Sequence, residues 1–558
     1  MGIQGLARRL EPYATRFSSE QLDGYSAVID GPALAYYAHK LALASAASAS
    51  RIPSYADIVA EAIHWLASLE NANIKVSAIY FDGALPTSKR AERLSRTEAN
   101  NRRVQQFRNN YATVSCPIPT YLGSISYAFL APALQEALLD SPFASKTQTV
   151  PGEADDWCAL HAKENARSII FTSDTDLVLY NYSIDTLIVF LHDADVSAGI
   201  KAYSPNDIRK QLQVTSLVAF AYALLEGPQD SVKLLAHQAQ GIDQSSELYI
   251  NFARRYVAKV VNPSYMSGES NSPLALPQLD VRVSEFVHQA LNGLETPFVY
   301  MPLLLEDPNQ ASAWNVGYDI RTLAYSLLAP KQDPIIHEYR RKAQSITVQE
   351  VSTYSSTNLP SPVKDLERQM RTLTEWAAAK SVRSDLAWPL FALSLVLAEL
   401  NTPPAVALVQ RVLNGDFDNS WAFVHLTARM HAALYSLRML SQVIKVWLTL
   451  NTALDTKLYT TLSTLSTHMT DFPSIPRSLG VPGQAKRIVA EHDKLKGWIE
   501  EIYASAGVEV QREEVSNKKK KRQAREAERK KKKAETRLQG NGQGKRIVQS
   551  GFGVLSDG

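Results

Sequence analysis

The sequence is poor in cysteine and contains only Cys116 and Cys158. Two cysteines cannot form a framework of disulfides, nor can they supply a structural zinc site. No apolar run reaches the roughly 20 residues that a membrane-spanning helix needs, and the N-terminus lacks a basic segment followed by an apolar one. We therefore expect a soluble protein that is not secreted, works in a reducing compartment and has no membrane partner.

The net charge of +3 conceals an uneven distribution along the chain. Residues 517–558 hold 14 lysines and arginines against 4 aspartates and glutamates, whereas residues 1–516 hold 45 against 52. The tail contains two lysine-rich runs and glycine-rich sequence that cannot bury a core. We expect it to act as a nuclear-localisation and phosphate-binding arm, with a generic solubilising tail as the alternative. The predicted location is the nucleus, or the nucleus and the cytoplasm.

The length of 558 residues exceeds that of a usual single core. A strand-rich pattern with acids dominates up to about residue 230, and amphipathic helical patterns dominate after it. We predict an α/β domain over residues 1–230, a mostly α-helical region over 231–515 and a disordered basic tail over 516–558. The sequence shows no clear internal repeat, and the role of the helical region stays open.

Four short apolar runs end in an acidic residue, and helix-like sequence separates them. These runs are Tyr25–Asp30, Val76–Asp82, Ile169–Asp174 with Asp176 beyond it, and Leu187–Asp193. Such runs are typical of buried parallel strands in an α/β fold, whose ligands bind beyond the carboxyl ends of the strands. Because clustered carboxylates repel each other at neutral pH, we expect a divalent cation to neutralise them.

Another acidic segment follows the turn at Pro151-Gly152, where Glu153 and Asp155 begin a predicted helix. Acids at a helix start commonly cap it and complement its dipole, and that interpretation suffices for the segment taken alone. What favours a site is the order of the acids along the chain: Asp30, Asp82, Glu153, Asp155, Asp174, Asp176.

A predicted helix over residues 86–111 contains more basic than acidic residues. Lys89, Arg93 and Arg96 recur at helical spacing and would share one face. A stripe of one charge sign beside an acidic cluster points to function, whereas an ordinary solvated helix is the commoner explanation of a charge run.

The order and local sequences of the acids resemble those of the flap endonuclease and XPG-type structure-specific nucleases, which have a PIN-like α/β fold. The matching segments are Met1-Gly-Ile-Gln-Gly-Leu6, Val28-Ile-Asp-Gly31, Phe81-Asp-Gly83, Gly152-Glu-Ala-Asp155 and Thr172-Ser-Asp-Thr-Asp176. Within that family, the acids at 153–156 and the segment Leu304–Trp314 leading to Asp319 resemble the fungal Asteroid-domain branch.

The resemblance implies a metal-dependent endonuclease that acts in DNA repair on branched or single-stranded-end DNA, with two ions of Mg²⁺ or Mn²⁺. Carried over position by position, Asp30 and Asp82 would hold one ion and Asp174 and Asp176 the other, with Glu153 and Asp155 between them. Oxygen ligands suit these hard cations, and the sequence has no Cys/His cluster that would favour zinc.

The same resemblance assigns the contacts to nucleic acid. Lys89 and Arg96 match basic residues that stabilise charge on the scissile phosphate. Tyr36 matches an aromatic residue that stacks on a base, with a place in the core as the alternative. Gly2 matches a glycine that lets nucleic acid approach closely. Further nucleic-acid contacts are predicted for Arg93, Arg102 and Arg103.

Some positions depart from the family pattern. Asp155 stands where the family usually has Glu, and Leu225-Glu-Gly-Pro-Gln-Asp230 replaces a Gly-x-Asp. The seventh carboxylate is thus missing, displaced to Asp230 or replaced by Glu226. A non-catalytic PIN-like scaffold that binds nucleic acid or protein, with a role in RNA regulation, is therefore the alternative function. DNA is the expected partner, RNA is a second candidate, and the protein partner of the helical region is open.

Overall fold

A computed structural model describes residues 2–46, 51–112, 115–258, 276–329, 335–452, 456–486 and 492–510. The chain divides into two compact units, Met1–Val508 and Glu509–Gly558. The division of the first unit at residue 230 stays a prediction. The predicted disordered tail over residues 516–558 lies outside the described residues.

The described residues form ten strands. They are β1 (Thr15–Phe17), β2 (Ser26–Asp30), β3 (Lys75–Asp82), β4 (Thr147–Val150), β5 (Ser168–Thr172), β6 (Leu187–Phe190), β7 (Ile200–Ala202), β8 (Phe298–Tyr300), β9 (Ile335–Lys342) and β10 (Ser345–Ser352).

The described α-helices follow in chain order. They are α1 (Leu6–Leu10), α2 (Gly31–Ser45), α3 (Tyr55–Asn71), α4 (Arg90–Asn110), α5 (Leu130–Leu139), α6 (Ala154–Glu164), α7 (Pro205–Leu212), α8 (Leu217–Glu226), α9 (Val232–Gln240), α10 (Glu247–Ala253), α11 (Val281–Leu291), α12 (Tyr318–Leu328), α13 (Pro360–Lys380), α14 (Ser384–Glu399), α15 (Val406–Asn414), α16 (Trp421–Leu450), α17 (Lys457–His468), α18 (Ile475–Ser478) and α19 (His492–Ser505).

The central sheet has five parallel strands in the order β4-β3-β2-β5-β6. The predicted α/β fold is therefore confirmed, and the four strands with terminal acids are β2, β3, β5 and β6. The sequence does not predict the edge strand β4, because Thr147-Gln-Thr-Val150 contains only one strongly apolar residue. The sheet places the ends of β3, β2 and β5 side by side.

Side chains alternate between the two faces of the sheet, as strand geometry requires. On β2, Ile29 enters one apolar core with the buried residues of α2 and α3, whereas Val28 enters a second core with those of α6 and α8. The first core continues without a break into the helical region, where it includes Trp314 and Leu434. Residues from both halves of the chain thus belong to one apolar core.

The region after residue 230 is mostly helical, as predicted, around the 30-residue helix α16. It also contains a small sheet in the order β10-β9-β8, with an antiparallel hairpin between β9 and β10 that the sequence reading missed. The hairpin turns at Ala343, which has a φ of 50°. Among the described residues no single helix is long and apolar enough to cross a membrane, although the bent pair Thr120–Ser126 and Leu130–Leu139 together has sufficient length and composition.

Candidate active site

Three carboxylates stand at the carboxyl ends of adjacent strands. Asp30 ends β2, Asp82 ends β3, and Asp174 follows β5 by two residues. Asp30 is only 7% exposed and accepts hydrogen bonds from Ala33 N–H (3.1 Å) and Thr172 Oγ1 (2.7 Å). Burial raises the pKa of Asp30 to about 7, with further contributions from the charges of Asp82 and Asp174. The strand-end acids therefore lie within electrostatic range of one another.

Helix α6 brings two more acids to this edge. Its first residue, Ala154, donates its N–H to Asp82 Oδ1 over 2.8 Å, which fixes the start of the helix at the end of β3. Asp155 lies in the first turn, and burial raises its pKa well above the usual value, as do the charges of Asp30, Asp174 and Asp82. Asp155 therefore faces all three strand-end acids.

Glu153 occupies the N-cap position of α6, yet its side chain makes no capping hydrogen bond. It pairs instead with Lys89, whose Nζ lies 2.6 Å from Glu153 Oε1. Burial lowers the pKa of Lys89, but the charges of Glu153, Asp155 and Asp174 outweigh it and leave the pKa raised. The predicted catalytic lysine is thus held as a cation beside the predicted acids.

Asp174 and Asp176 lie in the 3-10 turn after β5. Asp174 Oδ1 accepts the N–H of Asp176 (3.0 Å). Asp176 accepts the N–H of Ile3 (2.7 Å) at Oδ1 and the hydroxyl of Tyr256 (3.1 Å) at Oδ2. Burial, and then the charge of Asp174, raises the pKa of Asp176. Protein donors thus engage both oxygens of Asp176.

The N-terminal segment closes against this turn. A Cβ built on Gly2 would lie 2.1 Å from Thr175 Oγ1 and 2.4 Å from Asp176 Oδ1. Glycine is therefore the residue that lets the backbone approach the acids this closely.

The donor chemistry of the acids fits a hard divalent cation. All six predicted ligands are carboxylates, and a cation would offset the burial and mutual repulsion that raise the pKa of Asp30 and Asp155. In the part of the chain that the structure describes, however, no three His, Cys, Asp or Glu side chains are arranged to hold one metal ion. Hydrogen bonds to the protein set the carboxylate positions in this structure.

The other predicted contacts are divided between the site and its surroundings. Tyr36, on α2 just after Asp30, is 53% exposed and does not belong to the core. Arg96 pairs with Glu92 on the outer surface of α4, and Arg102 and Arg103 are exposed farther along that helix. Arg93 instead turns inward and pairs with Glu285 of α11. The basic residues of α4 therefore do not form one surface.

Tyrosines supply the contacts that sequence reasoning missed. Tyr256 reaches Asp176, and Tyr180 donates to Asp156 Oδ1 over 2.9 Å. Their rings pack edge to face at 6.1 Å. No local sequence pattern predicts these contacts, because Tyr256 and Asp176 are 80 residues apart in the sequence. The two candidates for the seventh acid are an exposed Glu226 and Asp230, which accepts from Gln238 over 2.9 Å.

One protein-family model matches part of the chain. Residues 126–353 match the family model described as XPG domain containing, a range that includes Glu153, Asp155, Asp174 and Asp176. Over this range the chain is similar to an XPG-type domain, in agreement with the resemblance that the sequence indicates. No curated protein matches the chain.

The solved structures that this one resembles include Rad2 and GEN1. The catalytic core of Rad2 is 14% identical, with 48% of this chain and 83% of that chain covered and a TM-score of 0.26. Human GEN1 in complex with Holliday junction DNA is 11% identical, with 64% and 89% covered and a TM-score of 0.29. At these identities and TM-scores, neither likeness supports an inference about activity.

Proposed function

Starting from the XPG-type domain matched over residues 126–353, we propose that this protein is a metal-dependent, structure-specific nuclease. It would hydrolyse phosphodiester bonds of branched or single-stranded-end DNA. The observation that carries the proposal is the position of Asp155, which is partly buried and lies within electrostatic range of Asp30, Asp82 and Asp174. Like charges this close destabilise a fold, and a bound divalent cation would offset that cost.

The residues that would hold Mg²⁺ or Mn²⁺ are the six acids of the site: Asp30, Asp82, Glu153, Asp155, Asp174 and Asp176. Two such ions activate water as a nucleophile and stabilise the leaving oxygen in phosphodiester hydrolysis. The chain's own contribution is to orient the carboxylates. Ala154 N–H holds Asp82, Thr172 holds Asp30, and Ile3 N–H holds Asp176.

Lys89 would stabilise the phosphate on which charge grows in the transition state. Its ammonium stands beside Glu153, and its side chain is 45% exposed, so that it can reach a ligand from solvent. An ammonium in this position favours an anion at the edge of the acidic site. Arg96 would assist from the exposed surface of α4, seven residues further along the chain.

Exposed side chains on α2 and α4 would contact the substrate. Tyr36 offers a ring on which a base can stack, and Gly2 lets the N-terminal backbone lie directly against Thr175 and Asp176. Arg102 and Arg103 would attract phosphates farther from the site. DNA is the proposed substrate and RNA the second candidate.

Nuclear location and membership of the fungal Asteroid branch stay predictions. The first rests on the basic tail, which lies outside the described residues, and the second on the sequence of Glu153–Asp156 and Leu304–Trp314.

A non-catalytic scaffold is the competing function, and one observation favours it. Both oxygens of Asp176 are engaged by protein donors, and Glu153 is engaged by Lys89. In a site that no longer binds ions, hydrogen-bond donors and cations of the protein would take the place of the metal as partners of the carboxylates. The same contacts also serve an active site by positioning its acids, and the two functions differ in whether DNA is cut.

The test is incubation of the full chain with 5′-flap, splayed and hairpin DNA in Mg²⁺ or Mn²⁺. We expect cleavage by the wild-type protein that is lost in Asp82→Asn and Asp174→Asn. The matched control is Asp195→Asn, because Asp195 is an exposed acid after β6 that accepts from Ser197 N–H over 2.9 Å. Cleavage that survives both site substitutions, or none by the wild type, refutes the proposal.

A further inference from the structure

The helical region fastens the basic helix α4 along its whole length. Near the start, the Arg90 guanidinium lies 3.7 Å from the centre of the Phe298 ring. In the middle, Asn101 Nδ2 donates to the carbonyl of Gln344 over 3.0 Å. Near the end, Arg108 Nε donates to Asp307 Oδ1 over 2.9 Å. All three partners lie after residue 230.

A further attachment is the ion pair between Arg93 and Glu285. Arg93 Nη1 lies 2.9 and 2.7 Å from the two carboxylate oxygens of Glu285. The Glu285 side chain is 3% exposed and the Arg93 side chain 22%. Arg93 also lies over the Tyr300 ring, 5.0 Å from its centre. A buried carboxylate needs such a partner, because an unpaired buried charge is strongly destabilising.

This pair lies one helical turn from the active site. Lys89 is the N-cap residue of α4, four residues before Arg93, and its ammonium contacts Glu153. Since a helix is stiff over one turn, an anchor at Arg93 fixes the position from which Lys89 extends. The structure thus connects Glu285, on α11, to the charge beside the carboxylates.

We propose that Arg93 and Glu285 are a positioning pair, through which the helical region holds α4 and presents Lys89 to the carboxylates before any nucleic acid binds. The effect on cleavage rests on the proposed nuclease function, whereas the effect on the helix does not. The region after residue 230 then belongs to the functional unit, and the first 230 residues alone lack the anchor.

The test is hydrogen exchange of residues 90–110 in the full chain without nucleic acid, combined with cleavage kinetics. Glu285→Gln and Arg93→Gln each leave one charge of the pair without its partner, and the double variant removes both charges. Arg93→Lys, which keeps the charge but loses the planar fork, is the milder variant if a single Gln variant does not fold. The control is Glu501→Gln, which breaks the ion pair of α19 with Lys380 on α13.

We expect slow exchange over residues 90–110 in the wild type, at least about tenfold faster exchange in the single variants, and recovery in the double variant. We also expect kcat to fall by about tenfold in the single variants while KM changes by less than about threefold. The control should leave both readouts unchanged. Fast exchange of α4 in the wild type, or unaltered exchange in every variant, overturns the proposal.

The two readouts keep the two proposals apart. A protein whose α4 responds as expected, but that cuts no DNA, refutes the nuclease function and supports the anchor. A protein that cuts DNA equally well in all variants, with unaltered exchange, refutes the anchor and leaves the nuclease function standing.

Discussion

Lys89 Nζ lies 2.6 Å from Glu153 Oε1, so that the residue before α4 is joined to the residue before α6. This ion pair links the basic helix to the acidic end of the sheet. Burial lowers the pKa of Lys89. The negative charges of Glu153, Asp155 and Asp174 raise it by more, so the pKa lies above its usual value. The site therefore contains a permanent cation at neutral pH.

Replacement of that cation tests its role in catalysis. Lys89→Met keeps most of the volume of the side chain and removes its charge. We expect the cleavage rate to fall by about 10²- to 10³-fold, the usual effect of losing one group that stabilises the transition state, with DNA affinity changed by less than about threefold. Lys201→Met is the control. The Lys201 ammonium lies 3.0 Å from the carboxylate of Glu11, and neither residue belongs to the predicted site. An undiminished rate in Lys89→Met contradicts the assignment.

Addition of one methyl group to Gly2 tests the closeness of the N-terminal segment to the acids. Gly2→Ala places a Cβ within 2.4 Å of Asp176 Oδ1, so the segment or the acid must move. We expect cleavage to fall by at least about tenfold, measured on the preferred DNA, and stability to fall by about 1–3 kcal/mol at most. The control is Gly497→Ala, where a Cβ meets nothing within 4 Å. Equal activity in both variants would count against the placement of Gly2.

The raised pKa of Asp30 predicts how metal-free stability depends on pH. The unfolded chain ionises this acid near pH 4, whereas burial keeps it protonated in the folded protein up to about pH 7. The folded state therefore holds more protons between these values, and stability falls as the pH rises through this window and then levels off.

Asp30→Asn should remove this contribution. In EDTA at pH 8, we expect the free energy of unfolding of the variant to exceed that of the wild type by up to about 4 kcal/mol. The variant should therefore melt at a higher temperature. At pH 4 the two proteins should melt together. Thermal melts at both pH values provide the measurement, and a variant that is less stable than the wild type at pH 8 would contradict the account.

Exposure of Tyr36 predicts a contribution to DNA binding. Its side chain is 53% exposed on the helix that follows Asp30, and stacking on a base contributes about 1–3 kcal/mol. We expect Tyr36→Ala to weaken binding of single-stranded-end DNA by about 5- to 150-fold in fluorescence anisotropy, and Tyr36→Phe to bind as the wild type does. Tyr121→Ala is the control, because Tyr121 is 72% exposed on another segment. If Tyr36→Ala and Tyr121→Ala lost the same amount of DNA affinity, the result would contradict a specific stacking role of Tyr36.

The sequence predicts the central strands well because each combines an apolar run with a terminal acid, and the pattern is local. It does not predict β4, whose residues are mostly threonine and glutamine. It also does not predict the hairpin of β9 and β10, because charged Glu338 and Arg341 are buried there while Val348 is exposed. Helical spacing places Arg93 beside Lys89, but the partner of Arg93 is 192 residues away. Tertiary packing decides such pairs, and no local pattern encodes them.

Uptake of Mn²⁺, measured by titration calorimetry on the full chain, tests the central claim most directly. The account predicts binding by the wild type that is lost in Asp155→Asn, whose carboxylate faces Asp30, Asp82 and Asp174, and retained in Asp195→Asn. Absence of uptake by the wild type, or uptake that persists in Asp155→Asn, would contradict it.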